Sequence, residues 1–146
     1  MSRRRRRARI RPLRVVRSIA RWALAALLVF SGLSHLFWAR KDFQRAVPDW
    51  VVDSVPIDKD AVVVASGAAE VMLGTALVGL PGERRRIGAA IAAFFVAVFP
   101  GNVHMWRTHR PAPLMRTDRA RFIRLLLQPV LVAWALWSTA PDRPSR

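Results

Sequence analysis

Residues 61–80 read AVVVASGAAEVMLGTALVGL and residues 87–106 read IGAAIAAFFVAVFPGNVHMW, with only PGERRR between them at 81–86. Each run reaches the roughly 20 residues that an α-helix needs to cross about 30 Å of hydrocarbon. Each is apolar all round rather than along one stripe, which is the pattern of a helix without a watered face. A connection as short as PGERRR leaves the two helices no arrangement except antiparallel neighbours. Working outward, two further runs have the same character: IARWALAALLVFSGLSHLFW at 19–38 and RFIRLLLQPVLVAWALWST at 121–139. The expected fold class is therefore all-α, an integral membrane four-helix bundle with a basic N-terminal arm. The expected division is an arm at 1–18, spans at about 19–38, 61–80, 87–106 and 121–139, and a short tail at 140–146.

The charge distribution supports that division. Lys and Arg number 25 against 9 Asp and Glu, a formal net charge of +16, yet long stretches carry almost no charge. Residues 1–17, MSRRRRRARIRPLRVVR, lead straight into the first span. Such an arm reads as a topology signal on a disordered tail that is attracted to anionic lipid. No aromatic residues are interleaved in it to stack on bases, so nucleic acid is not an expected partner. The first span is long, ends in bulky LFWARK and lacks a small-x-small cleavage site, so it reads as an uncleaved helix rather than a signal peptide. With the N-terminus inside, the inner segments gather more Lys and Arg than the outer ones, and an even number of spans returns the C-terminus to the same side. The expected location is the plasma (inner) membrane, multi-pass, with both termini cytoplasmic. The absence of cysteine excludes disulfides, thiolate nucleophiles and Cys-ligated metal. No spacing of residues suggests a metal site, a phosphate loop or a nucleophile elbow.

Polar groups at membrane depth are expensive, which makes them the first place to look for function. This chain has His35, Glu70, Asn102, His104, Arg124 and Gln128. Counted from the side of the 39–60 and 107–120 connections at ~1.5 Å per residue, His35 and His104 lie about 3–5 Å deep, Asn102 about 6–7 Å, Gln128 about 10 Å and Glu70 about 13–15 Å. All six fall in one half of the span, which describes a pocket opening toward those two connections. Ser66, Gly67 and Gly74 flank Glu70 at helical spacing and form a small-residue face for a neighbouring helix. Arg124 has the reach to meet Glu70, either as a structural clamp between helices or as part of a proton-handling or ligand-binding site. Pro100-Gly101 weakens the third helix just before Asn102 and His104, and broken backbone at depth is tolerated where it faces protein or a watery cavity. Two histidines at similar depth raise a b-type haem, but interfacial histidines more often bond backbone or headgroups, so haem is not expected.

Several strings resemble the DoxX-like family of membrane proteins, in the family's order: GLSHLF at 32–37, VPDW at 47–50, SGAAEVMLG at 66–74, VFPGNVHMW at 98–106 and RLLLQPVLVAWALW at 124–137. Where that family usually shows Phe-Pro-Ala-Asn, this chain has Phe99-Pro100-Gly101-Asn102. The resemblance implies a four-helix inner-membrane protein. Some relatives are linked to quinone-coupled oxidation of sulfur compounds or to membrane complexes that defend against oxidants. It implies a quinone or other small redox ligand in the pocket, with a proton on Glu70 and a ring carbonyl held by His104 and Asn102. A thiol step would need a small-molecule substrate or a membrane or soluble redox partner, because this chain has no cysteine. The competing expectation is a scaffold or accessory subunit whose polar groups only lock helices together. A small transporter is less favoured, since no internal repeat is visible.

Overall fold

The computed structural model describes residues 3–109 and 116–141, with side chains from Leu13 onward. Residues 110–115 of the expected third connection and 142–146 of the expected tail lie outside the described residues, as do Met1, Ser2 and the side chains of the basic arm up to residue 12. Among the described residues all regular structure is helical. Four long helices, α1 (Arg3–Leu36), α4 (Lys59–Gly79), α5 (Arg84–Arg107) and α6 (Asp118–Thr139), carry the chain back and forth. Two short helices, α2 (Arg40–Phe43) and α3 (Asp49–Ser54), sit between α1 and α4. The basic arm is part of α1 from Arg3 on, where a disordered tail was expected; no proline or glycine other than Pro12 interrupts its Arg-rich run, and Arg is a good helix former.

Local chemistry sets the helix limits. The Asp58 carboxylate caps α4 by accepting from the Ala61 N–H at 2.7 Å, and the Thr117 hydroxyl caps α6 from the Ala120 N–H at 3.2 Å. Pro81 cannot extend α4, and a three-residue 3-10 turn, Pro81–Glu83, reverses the chain into α5. α1 ends at Leu36, and the segment Arg40–Ala46 leaves it at 95°. α4, α6 and the stretch Pro81–Arg107 that contains α5 are each long and apolar enough to cross a membrane, and a fourth span results if Leu13–Leu36 is taken with the bent segment.

α1 lies along α4 and α5 along α6, and these two pairs touch each other more sparingly. The α1–α4 approach depends on glycine. A Cβ on Gly74 would sit 2.8 Å from the Ala25 carbonyl oxygen, and one on Gly67 would sit 2.9 Å from that of Gly32 and 2.8 Å from the His35 Cβ. Of the predicted small-residue face, Gly67 and Gly74 thus form the seam against α1, while Ser66 lines the cavity described below. Leu24, Ala25, Leu28, Leu77, Ile87, Ile91, Ala92, Phe95 and Ala135 form one apolar core in the half near the Pro81–Glu83 turn.

The other end is built differently. The connection 39–60 holds α2, a 3-10 turn at Gln44–Ala46 and α3. These elements fold over the ends of the long helices as a cap. Arg40 pairs with Asp60, Gln44 Nε2 donates to Asp60 at 2.8 Å, and Lys59 pairs with Asp49. Polar side chains at the two ends of the connection therefore tie the cap to the start of α4.

Candidate functional site

Beneath the cap, two polar clusters face a shared space. Ser31 and His35 lie four residues apart on α1, so both point from one face toward α4. There they meet the two carboxylate oxygens of Glu70: Ser31 Oγ donates to Oε1 at 3.2 Å, and His35 Nδ1 lies 2.8 Å from Oε2. Gly67, one turn before Glu70, admits the His35 stem. The Phe43 ring from the cap meets the imidazole edge-on, with centroids 3.8 Å apart. His35 and Glu70 are buried and Ser31 is half-buried. The carboxylate has therefore exchanged water for one directed hydrogen bond, from Ser31, and a close but unaligned imidazole that leaves Oε2 and Nδ1 without a hydrogen-bond partner among the described residues.

The second cluster joins α5 to α6. Arg124 and Gln128 are also four residues apart, and they bracket Asn102. Arg124 Nε donates to Asn102 Oδ1 at 3.0 Å, and Asn102 Nδ2 donates to Gln128 Oε1 at 3.0 Å. Gln128 Nε2 donates in turn to the carbonyl of Phe95, upstream of Pro100. This chain of bonds fixes which way each amide points and leaves, besides the second N–H of each amide, the terminal nitrogens of the Arg124 guanidinium as donors.

Between the clusters lies a cavity of about 210 Å³. Its polar lining comes from His35, Glu70, Ser66, Asn102 and Arg124, and the rest is apolar. The cap contributes Phe43, Val47, Trp50 and Val51, while Val63 of α4 and Phe94 and Val98 of α5 complete the walls. Pro100 and Gly101 also reach the lining. A Cβ on Gly101 would sit 2.9 Å from the Ala46 carbonyl, so this glycine seats the cap on α5.

Of the six polar residues singled out by sequence, four line the cavity: His35, Glu70, Asn102 and Arg124. Gln128 stands behind Asn102 and orients it. His104 does not line the cavity, because successive residues of a helix are turned by ~100° and Asn102 takes the inward position. It therefore does not face His35 across this space. Glu70 and Arg124 line the same cavity, as the sequence suggested, but make no direct ion pair: Glu70 accepts a hydrogen bond across the α1–α4 seam and Arg124 donates one across the α5–α6 seam. Ser31 and the cap residues were missed. Ser31 had a signal in its spacing from His35; the cap had only the VPDW string. Arg121 was missed too, and it is buried beside Asp118, with which it pairs.

A family described as "Domain of unknown function (DUF8561)" matches residues 24–139, and the chain belongs to that family. The match takes in both polar clusters and the cap and omits the basic arm. No curated protein and no solved structure matches the chain.

Proposed function

We propose that this family member is a multi-pass inner-membrane protein, DoxX-like in organisation, that holds a quinone or similar small redox ligand in the cavity as a subunit of a membrane oxidoreductase system. Four spans, α1, α4, α5 and α6, form the bundle, with both termini cytoplasmic and the basic arm against anionic lipid. The outward surface supports immersion in lipid: Phe30 of α1, Met72 of α4, Val96 of α5 and Leu126 and Val130 of α6 are all more than half exposed, so every long helix turns large apolar side chains outward. The six tryptophans fall toward the two ends, Trp38, Trp50 and Trp106 near the cap and Trp22, Trp134 and Trp137 near the opposite end, as in the aromatic belts of membrane proteins.

The observation that carries the ligand reading is the cavity itself, apolar in most of its lining and polar at two opposed points. Apolar walls with a few placed polar groups are the usual composition of a small-molecule site. Arg124, positioned by Asn102 and Gln128, offers donors to a carbonyl oxygen, the role that sequence gave to His104 and Asn102. His35 and Glu70 stand in close contact, an imidazole beside a carboxylate, as groups that exchange a proton do. Electrons come from a partner or a small-molecule substrate, since this chain contributes no thiol.

Titration of the detergent-solubilised protein with a short-chain benzoquinone tests this reading, with quenching of tryptophan fluorescence as the signal. Saturable quenching, weakened about tenfold (~1.4 kcal/mol) by Arg124→Gln and unchanged by His104→Gln, is expected. Linear quenching without saturation rejects a quinone site. A second reading, a non-enzymatic scaffold, is favoured by one observation: each polar cluster joins a single helix pair, as a structural clamp does. It predicts no saturable quenching, a lowered melting temperature in Glu70→Gln and Asn102→Leu, and tight co-purification with another subunit.

A further inference from the structure

The cavity has an end and a side, and the two are closed to different degrees. Its end is covered by the cap, where Phe43, Val47, Pro48, Trp50 and Val51 lie over it. Its side is the gap between α4 and α5. These helices are joined by the Pro81–Glu83 turn, yet they pack on each other far less than each packs on its other neighbour. Val62, Val63 and Ser66 line the cavity from α4, and Phe94, Ala97 and Val98 line it from α5. Ala97 and Pro100 belong to that lining and are also exposed on the outer surface.

The cap surface has its own signature. Phe37 is 72% exposed, Trp38 62% and Trp50 59%, with Val55 and Ile57 exposed beside them. The same short segment carries Asp42, Asp49 and Asp53. Apolar rings interspersed with charges describe a segment lying in the headgroup layer, not one projecting into water. The apolar surface is continuous with the span below it: the Trp38 ring stacks at a tilt on Phe30 of α1, with centroids 5.8 Å apart. At the same end, Trp106 and Phe122 pair across α5 and α6 at 6.0 Å.

From these two observations we infer that the cavity is loaded sideways from the bilayer, through the gap between α4 and α5, beneath a cap embedded in the lipid headgroup layer. Its ligand is accordingly a lipophilic molecule dissolved in the membrane, with a polar head that reaches Arg124 and His35, and not a solute arriving from water. The inference rests on the membrane reading above and adds the route and the ligand's partitioning.

The chain has no cysteine, so single cysteines for nitroxide labelling can be introduced without background. Val55→Cys and Trp38→Cys report on the cap, Ala97→Cys and Val62→Cys on the gap, Asp53→Cys on the polar face of the cap and Val130→Cys on the outer face of α6. The labelled full-length chains are reconstituted in phosphatidylcholine–phosphatidylglycerol vesicles. Collision rates with oxygen, which concentrates in lipid, are compared with those of a water-soluble nickel chelate. Cap and gap labels are expected to favour oxygen by several-fold, as Val130 does, while Asp53 favours the nickel complex. If Val130 favours oxygen but the gap or cap labels favour nickel, lateral loading is overturned and the membrane reading survives. If Val130 favours nickel, the membrane reading itself falls and the inference falls with it. The second label in the cap and in the gap decides the matter where the first variant does not fold.

Discussion

The half of the molecule beside the Pro81–Glu83 turn and the half beneath the cap use the same helices for opposite ends. Near the turn, Leu24, Leu28 and Ile91 are essentially inaccessible within one apolar cluster. The buried Ser138 and Thr139 hydroxyls there bond back to the Ala135 carbonyl, and the open volume at that end lies outside the cluster's centre, between Trp22, Leu77 and Pro81. Beneath the cap, the same four helices carry Ser31, His35, Glu70, Asn102, Arg124 and Gln128 around an open volume. Helix α4 shows the contrast within a single element. Leu77 is in the apolar core, whereas Glu70, two turns earlier on the same buried stripe, is the centre of a hydrogen-bonded cluster. A dense half fixes where the helix axes lie; a polar half held by directed bonds can then keep a cavity without collapsing. The division of labour is a common arrangement for sites, since precise side-chain placement needs a rigid support.

The largest test of this contrast is Leu28→Ala in the dense half. Loss of transfer energy and an unfilled cavity should cost about 2–5 kcal/mol, read as a lowered midpoint of unfolding in mild detergent. Val98→Ala, beside the existing cavity, should cost well under half as much, because one side of that side chain already lacks packing partners. Equal losses at the two sites would mean that the halves do not differ in packing. Next in size is the reverse change. Ala135→Leu overfills a site with no spare volume and should destabilise by about 1–3 kcal/mol. Ala97→Leu points extra atoms at the gap and should leave the unfolding midpoint near that of the parent, while reducing benzoquinone quenching.

A double-mutant cycle sharpens the polar side of the comparison. Glu70→Gln and His35→Gln share one contact, so their effects should deviate from additivity by about 0.5–3 kcal/mol. The cycle of Glu70→Gln with Arg124→Gln should show the smaller deviation, since those residues bond to different partners. A larger coupling for the Arg124 cycle would restore the direct pair that the sequence suggested. The smallest effect belongs to the cap. Asp60→Asn removes the anchor for Arg40 and Gln44, both at the surface, where ion pairs contribute little to global stability. Its unfolding midpoint should stay put, while trypsin cleavage at Lys41 and Arg45 accelerates in native protein. Unchanged cleavage would show that Gly101 and the apolar cap residues hold the segment unaided.

The helical class was legible because an unbroken apolar run with one short polar turn permits little else. The concentration of polar residues at one end was also legible, since a rise of ~1.5 Å per residue converts position in sequence into depth along an axis. Depth is one coordinate of three. His104 and Asn102 are neighbours in depth but differ in angle, and only the packed helices reveal which of them turns toward the cavity. Pairing is harder still: Glu70 and Arg124 have compatible depths and opposite charges, yet α1 brings His35 and Ser31 to the carboxylate first. The small-residue face announced a close approach at Gly67 and Gly74 without saying which helix would make it.

What the sequence determined by itself, then, is periodic or one-dimensional: helix type, the turn at Pro81, and the end of the molecule that holds the polar groups. What only the tertiary structure decided is which helices are partners, that 39–60 folds into a cap, and that the polar residues divide into an α1–α4 cluster and an α5–α6 cluster. The physical reason is that helix pairing is set by the fit of whole surfaces, Gly74 against the Ala25 carbonyl and Gly88 against Thr139, and surface fit depends on rotations about the helix axes that residue spacing does not specify.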